Sequence, residues 1–200
     1  MAARLGVWAR FIKAIIVVHS RRHRLKPAPV TQIVPLNQIP AADVERLLDA
    51  AFGADRHGRT AYKLRAGTEA IASLSFATVA DGALVGSLQS WPVVLETLSG
   101  TRTPLVLVGP VAVDPAQQRG GIGRMLMTHM LEVADAGAAD ALTMIGDPEY
   151  YGRFFGFTAE ATAGWHLPGP VERHRLLARI RRVGGVPTHG SIKPDLSLTL

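Results

Sequence analysis

The 200-residue sequence contains no cysteine. That excludes disulfides, thiolate metal sites and a covalent cysteine-acyl intermediate, and it fits a cytoplasmic protein. Acidic residues are missing from the first stretch of chain, where none precedes Asp43. Seven basic residues lie there instead: Arg4, Arg10, Lys13, Arg21, Arg22, Arg24 and Lys26. They account for the net charge of +6, because the other 15 basic residues face 16 acidic ones. The body of the chain is not basic, so a nucleic-acid partner is not expected.

The same N-terminal stretch lacks a long apolar run. A membrane-spanning helix needs about 20 apolar residues, and here the longest unbroken run is Ala14 to Val18. Ser20-Arg21-Arg22 is no small-residue cleavage site for a secretory signal. Trp8, Phe11, Ile12, Ile15 and Ile16 do recur at helical spacing among basic residues. Residues 1–29 therefore read as a basic extension: a basic amphipathic helix resting on an anionic membrane through residues 1–26, an organellar transit peptide, or an unordered segment. Lys26-Pro27-Ala28-Pro29 links it to a single domain over residues 30–185, and residues 186–200 read as a tail.

Within the domain, hydrophobic periodicity predicts a strand from Thr31 to Leu36 and a helix from Ala41 to Phe52, ended by Gly53. A second helical piece follows over Thr60 to Leu64. Ser73–Ala80 and Ala83–Leu95 read as strands joined at Asp81-Gly82, a pair that favours a type I′ turn. Ala141–Ile145 is a later strand, and Asp147-Pro148 opens a short helix through Phe154. Gly164–Leu167 and Arg173–Ile180 supply closing strands. The order gives an α/β sandwich with a central mixed β-sheet flanked by α-helices.

The chain is organised around residues 105–123. Leu105 to Val113 is a continuous apolar run typical of a buried strand, stopped by Asp114-Pro115. Gln118-Arg119-Gly120-Gly121-Ile122-Gly123 comes next, and then a helix with Ile122, Leu126, Met130 and Val133 on one face. The glycines thus sit where a strand becomes a helix. The first N–H groups of a helix lack internal partners and carry partial positive charge, so an anion such as a pyrophosphate is a natural guest. Glycines in a tight turn also serve merely to allow positive φ, and the turn alone leaves both readings open. A Walker-type loop is excluded by the lack of Gly-Lys-Ser/Thr, and G-x-G-x-x-G is absent.

Gln118 to Gly123 resembles the Q/R-x-x-G-x-G/A signature of the GNAT superfamily of acetyl-CoA-dependent N-acetyltransferases. Val111-Ala112-Val113-Asp114-Pro115 is similar to that family's fourth strand. Gly146 to Phe157, with Tyr150-Tyr151 and Gly156-Phe157, is similar to its tyrosine helix followed by Gly-Phe. The resemblance spans residues 31–180 and implies a GNAT-like sandwich of the bacterial type. It further implies acetyl-CoA as co-substrate, no metal, and a small-molecule or peptide amine as acceptor for a monomer or homodimer.

By that resemblance, Val111, Ala112 and Val113 pair with the pantetheine arm, and one of their N–H groups polarises the thioester carbonyl. Gln118, Arg119, Gly120, Gly121, Ile122, Gly123 and Arg124 hold the phosphates. Gly109-Pro110 either opens the strand as a bulge or merely kinks it. A tyrosine returns a proton to the departing sulfur: Tyr151 or else Tyr150, with Tyr151 five residues before Gly156 where the family usually has four. Asp114, Glu96, Glu149 or water removes the amine proton, while His129 and His166 read as structural. Gln89 and Trp91 are candidates for the acceptor pocket. No Ser-His-Asp spacing or metal-ligand cluster occurs. Two other readings remain open: a binding module that holds a CoA ester without turnover, and a membrane-surface protein acting through residues 1–26.

Overall fold

The computed structural model describes residues 31–137, 141–181 and 184–198. The reading of residues 1–29 as a membrane-surface helix, a transit peptide or an unordered extension lies outside the described residues. Eight strands form one mixed sheet. Strands β1 (Thr31–Pro35), β2 (Phe76–Ala80), β3 (Ala83–Glu96) and β4 (Arg102–Val113) run antiparallel in sequence order. Strand β5 (Ala141–Ile145) joins β4 in parallel, and β7 (Leu176–Ile180) closes that edge antiparallel to β5. Asp81 and Gly82 between β2 and β3 have φ of 49° and 81°. Two consecutive positive values are the mark of the type I′ turn that Asp-Gly favours.

Of the remaining strands, β6 (Gly164–His166) falls within the expected Gly164–Leu167 strand, whereas β8 (His189–Pro194) lies in the segment read as a tail. That reading is corrected: residues 189–194 form part of the sheet. β8 pairs antiparallel with the C-terminal half of β3, Val93↔Pro194 through Glu96↔Ser191, and parallel with β6. The long strand β3 therefore has two partners along one edge, β2 against its first half and β8 against its second. Between them the edge is covered piecemeal. Ile71 N–H donates to Ser90 O at 2.7 Å, and Asp195 N–H donates to Pro92 O at 3.1 Å. Pro92 has no N–H to lose on that edge, so it sits in a central strand without orphaning a ladder bond.

Helices cover both faces. α1 (Ala41–Phe52) buries Val44, Leu47 and Leu48 against Ala112 and Leu84, and Gly53 at φ 85° ends it. The short α2 (Thr60–Lys63) follows on the same face, where Leu64, Leu107 and Trp165 share a cluster. On the opposite face lies α3 (Ile122–Ala136), with Leu126, Met127 and Met130 wholly buried beside Val108 and Leu88. Each such side chain contributes about 1.5–3 kcal/mol by leaving water. α4 (Pro148–Phe155) extends this face through Phe155. A bidentate pair from Arg179 to Asp135, at 2.7 and 2.9 Å, ties the end of α3 to β7.

Candidate active site

Strand β4 changes character halfway along. Leu105 and Leu107 point to the α1 face, and Val106 and Val108 to the α3 face. Simple alternation would then send Val111 back to the α1 face. Instead Val111 and Val113 pack with α3, and Ala112 with α1. The shift arises at Gly109-Pro110, where Leu88↔Val111 and Ser90↔Val108 leave two residues of β4 opposite Gln89 alone. This is a β-bulge, and Gly109 takes a φ of 114° that other residues rarely adopt. Of the two sequence-level options, the bulge is the one found.

The bulge coincides with the parting of β4 from β5. Those strands pair only at Val106↔Leu142 and Leu107↔Thr143. Beyond that point, β4 residues 108–113 keep β3 on one side and have no β5 partner on the other. A cleft of about 770 Å³ opens there, lined by Leu107 to Val111 from β4, by Met144 and Ile145 at the end of β5, and by Gly146 and Asp147 just after it. Its wall also includes Tyr151, Glu172, Arg175 and, from the stretch around α2, Arg56, Arg59 to Tyr62 and Arg65. That volume lies within the ordinary range for a small-molecule site, about 300–1,000 Å³.

Downstream of β4, Asp114 accepts a hydrogen bond from Ala116 N–H at 2.9 Å and starts a short 3-10 helix over Pro115–Gly120. Gly121, at φ 71° and ψ 11°, reverses the chain into α3. The first helical bond runs from Met125 N–H to Gly121 O at 3.0 Å. The N–H groups before it have no carbonyl within the helix to meet, and they form the anion-attracting end of the helix. Nothing lies within 4 Å of the position a Gly121 Cβ would take, so the approach to this backbone is open. Gln118, Gly120 and Arg124 are exposed around it, while Ile122 is buried beneath. The Arg119 side chain lies outside what is described. Arg124 stacks on Phe154 of α4, 4.7 Å from the ring centroid.

The two tyrosines separate cleanly. Asp147 caps α4 by accepting from Glu149 N–H at 3.0 Å, and Gly156 ends the helix at φ 72°. This frame turns Tyr151 into the cleft. Tyr150 is not in its wall; it packs edge-on against Tyr151 at 5.0 Å and against Phe155. Burial, followed by the neighbouring Tyr150 and Asp147, pushes the Tyr151 hydroxyl up to about 12. It is a firmly protonated O–H donor at neutral pH.

Several residues singled out in the sequence lie elsewhere. Glu96 is held by Lys193 at 2.7 Å and Arg102 at 3.0 Å on the outer part of the sheet. Asp114 and Glu149 are outside the cleft wall, as are Gln89 and Trp91. The carboxylates that do line it are Asp147 and Glu172. His129 meets Phe76 edge-on at 4.6 Å beneath a separate shallow hollow on the α3 side.

The sequence reading also missed the arginines. Arg56 is only 2% exposed and is bound by Glu45 at 2.5 Å, Asp49 at 2.8 Å and the Tyr62 hydroxyl. Burial opposes its charge, yet these bonds outweigh that cost and raise its pKa. The available signal was the Glu45/Asp49 pair, four residues apart and so on one face of α1. Among the described residues, no group of three or more His, Asp or Glu is placed to hold a metal ion, and no helix is long and apolar enough to cross a membrane.

Comparison with known proteins agrees with this geometry. The acetyltransferase (GNAT) domain family matches residues 34–159. The fold is similar to that of the GNAT family N-acetyltransferase YhbS from Escherichia coli, solved with CoA, at 23% identity and a TM-score of 0.64. That likeness covers 86% of this chain and 94% of the other. A GNAT family acetyltransferase from Brucella melitensis, solved with acetyl-CoA, is similar at 25% identity and a TM-score of 0.59, over 82% of this chain and 96% of that one. No curated protein sequence matches. The match spans well over half of the chain and takes in β4, the glycine loop and the tyrosine helix, so the chain belongs to the GNAT family of acetyltransferases.

Proposed function

We propose that this enzyme transfers the acetyl group of acetyl-CoA to a primary amine by direct attack in a ternary complex. The observation that carries the reading is the cleft at the parted β4 and β5 strands. It brings the exposed β4 backbone, the Tyr151 hydroxyl and an acceptor wall from α2 into one space. The residues present fit the donor. The open backbone at Gly121 and the start of α3 suit a pyrophosphate, and Val111 to Val113 offer unpaired strand edge to an amide-bearing arm.

In the reaction, the nitrogen lone pair attacks the thioester carbon, and an N–H of β4 stabilises the negative charge that gathers on oxygen. The amine loses a proton to Asp147, Glu172 or water. Collapse then breaks the carbon–sulfur bond and leaves a thiolate beside Tyr151. Full transfer from a hydroxyl near 12 to a free thiolate near 8.5 would cost about 5 kcal/mol. Tyr151 therefore acts first as a hydrogen-bond donor to the charge forming on sulfur, and burial of the thiolate narrows the gap for the proton to follow. The proton released by the amine restores the balance, so amide and free thiol are the only net products.

Calorimetric titration of acetyl-CoA and CoA into wild type and Gly121→Glu tests the donor site. Micromolar binding that the variant loses supports the reading; no binding by wild type overturns it. Amine-dependent thiol release that Tyr151→Phe reduces distinguishes turnover from a module that only binds. The lack of cysteine supports a cytoplasmic site of action.

A further inference from the structure

Charge is not balanced in the cleft. Its wall carries Arg56, Arg59, Arg65 and Arg175 against Asp147 and Glu172. Three of these arginines are occupied. Arg56 has its two carboxylates, Arg59 donates to Phe52 O at 2.8 Å, and Arg175 donates to Gly146 O at 3.4 Å. Arg65 is different. Its guanidinium lies 4.2 Å from the Tyr62 ring centroid and 5.3 Å from that of Trp91, held between two aromatic rings. Its Nε is buried with no hydrogen-bond partner among the described residues, and the Trp91 indole N–H is buried without one as well. Burial pushes the Arg65 pKa down, with Arg56 nearby opposing its charge too, while Tyr62 and Glu45 favour it. An arginine stays protonated at any working pH even so.

A buried donor left unpaired is costly, because it has given up its bond to water without a replacement. Arg65 combines such a donor with a fixed charge on the cleft wall, and it calls for an anionic acceptor. The donor's phosphates do not meet that need. Leu64, next to Arg65, packs on the α1 face with Leu107 and Trp165, whereas the start of α3 lies on the other face of the sheet. We propose that Arg65 anchors a carboxylate on the acceptor, so that the substrate class is an amine that also bears a carboxylate. The planar fork of a guanidinium matches a carboxylate bidentately, and stacking between Tyr62 and Trp91 fixes its plane in advance. This assignment rests on the acetyltransferase reading above and concerns the acceptor half of the same cleft.

The test compares ω-aminocarboxylates, from glycine to 6-aminohexanoate, with their carboxamides, by saturation-transfer NMR on the full chain. The readout is binding, so it does not depend on turnover. The expected result is at least one carboxylate bound tenfold or more tighter than its amide by wild type. Arg65→Met should erase that preference, and Arg65→Lys should restore part of it. The acetyl-CoA dissociation constant of Arg65→Met, unchanged within about twofold, shows that the variant is folded. Equal binding of acids and amides by wild type, including none of either, overturns the assignment, as does a preference that survives in Arg65→Met. If acetyl-CoA fails to bind wild type while the carboxylate preference holds, the transferase reading falls and the anion site stands.

Discussion

Gly146 makes room for Tyr151: a Cβ at position 146 would lie 2.6 Å from Tyr151 Cδ2 and 2.7 Å from Cε2. Carbon atoms do not approach so closely, and the ring has little freedom to yield. It is flanked by Tyr150, Phe155 and Phe157. The Gly146 backbone is pinned in turn, with its N–H donating to Arg175 O at 2.9 Å. Gly146→Ala should therefore rotate the phenol away from the sulfur position without touching the loop at Gly121. The expected outcome is a kcat lowered about tenfold, with the acetyl-CoA dissociation constant unchanged, since a displaced acid costs rate rather than donor binding. Steady-state kinetics beside calorimetry would check it, and a lost acetyl-CoA affinity with normal kcat would contradict it.

The two tyrosines make a paired prediction. Tyr151→Phe should lower kcat by about a hundredfold, within the range for removal of a general acid. Tyr150→Phe should leave kcat within about twofold, because that ring contributes packing to Tyr151 and Phe155 and stays out of the cleft wall. The reverse ranking would assign the acid to Tyr150.

How far the sequence discloses this site depends on what kind of signal each part carries. The glycine loop and α3 are legible because glycine placement and a 3.6-residue apolar period both report on local backbone. Gly109-Pro110 marks an irregularity in β4 for the same reason, but the register that makes it a bulge rather than a kink comes from β3. β8 is not: within His189–Pro194 only Ile192 is strongly buried, so the strand has no alternating pattern and is specified by the free edge of β3. Arg56 and Arg65 escape notice because charged residues in short helical turns ordinarily face solvent. Their burial follows from partners brought by α1, by Tyr62 and by Trp91, and tertiary contacts of that kind leave no periodic trace.

The pH dependence follows from the direction of the Tyr151 shift. A tyrosine acid with an ordinary pKa near 10 would lose its proton, and the enzyme its activity, as pH approaches that value. With the hydroxyl raised to about 12, the protonated form persists through pH 10. The rate should therefore climb as the acceptor amine deprotonates and show no descending limb below about pH 10. Stability has the matching sign: the unfolded chain releases this proton near 10 and the folded chain near 12. The contribution from Tyr151 is thus complete below about pH 10 and is lost as pH rises through the folded value. A pH series of kcat/KM, paired with ultraviolet titration of tyrosinate in wild type and Tyr151→Phe, would read both effects. Tyrosinate from Tyr151 appearing near pH 10 would contradict them.

The position of the glycine loop rests on a second close approach, Gly86 against Ile122. A Cβ on Gly86 would meet Ile122 Cγ2 at 2.5 Å and Leu126 Cδ1 at 3.1 Å. Ile122 is β-branched and confined to few rotamers, and it is the first residue of α3, directly after Gly121. The clash can be relieved only by lifting the start of the helix from β3, which moves the N–H groups proposed to hold the phosphates. Gly86→Ala should cost about 1–3 kcal/mol of stability from overpacking and weaken acetyl-CoA binding about tenfold. The kcat at saturating donor should hold within about twofold, because Tyr151 is positioned by α4 and Gly146 rather than by α3. Gly58→Ala is the matching control, since nothing lies within 4 Å of the added carbon. Unchanged acetyl-CoA affinity in folded Gly86→Ala, by calorimetry, would separate the start of α3 from donor binding and return the glycine loop to a purely conformational role.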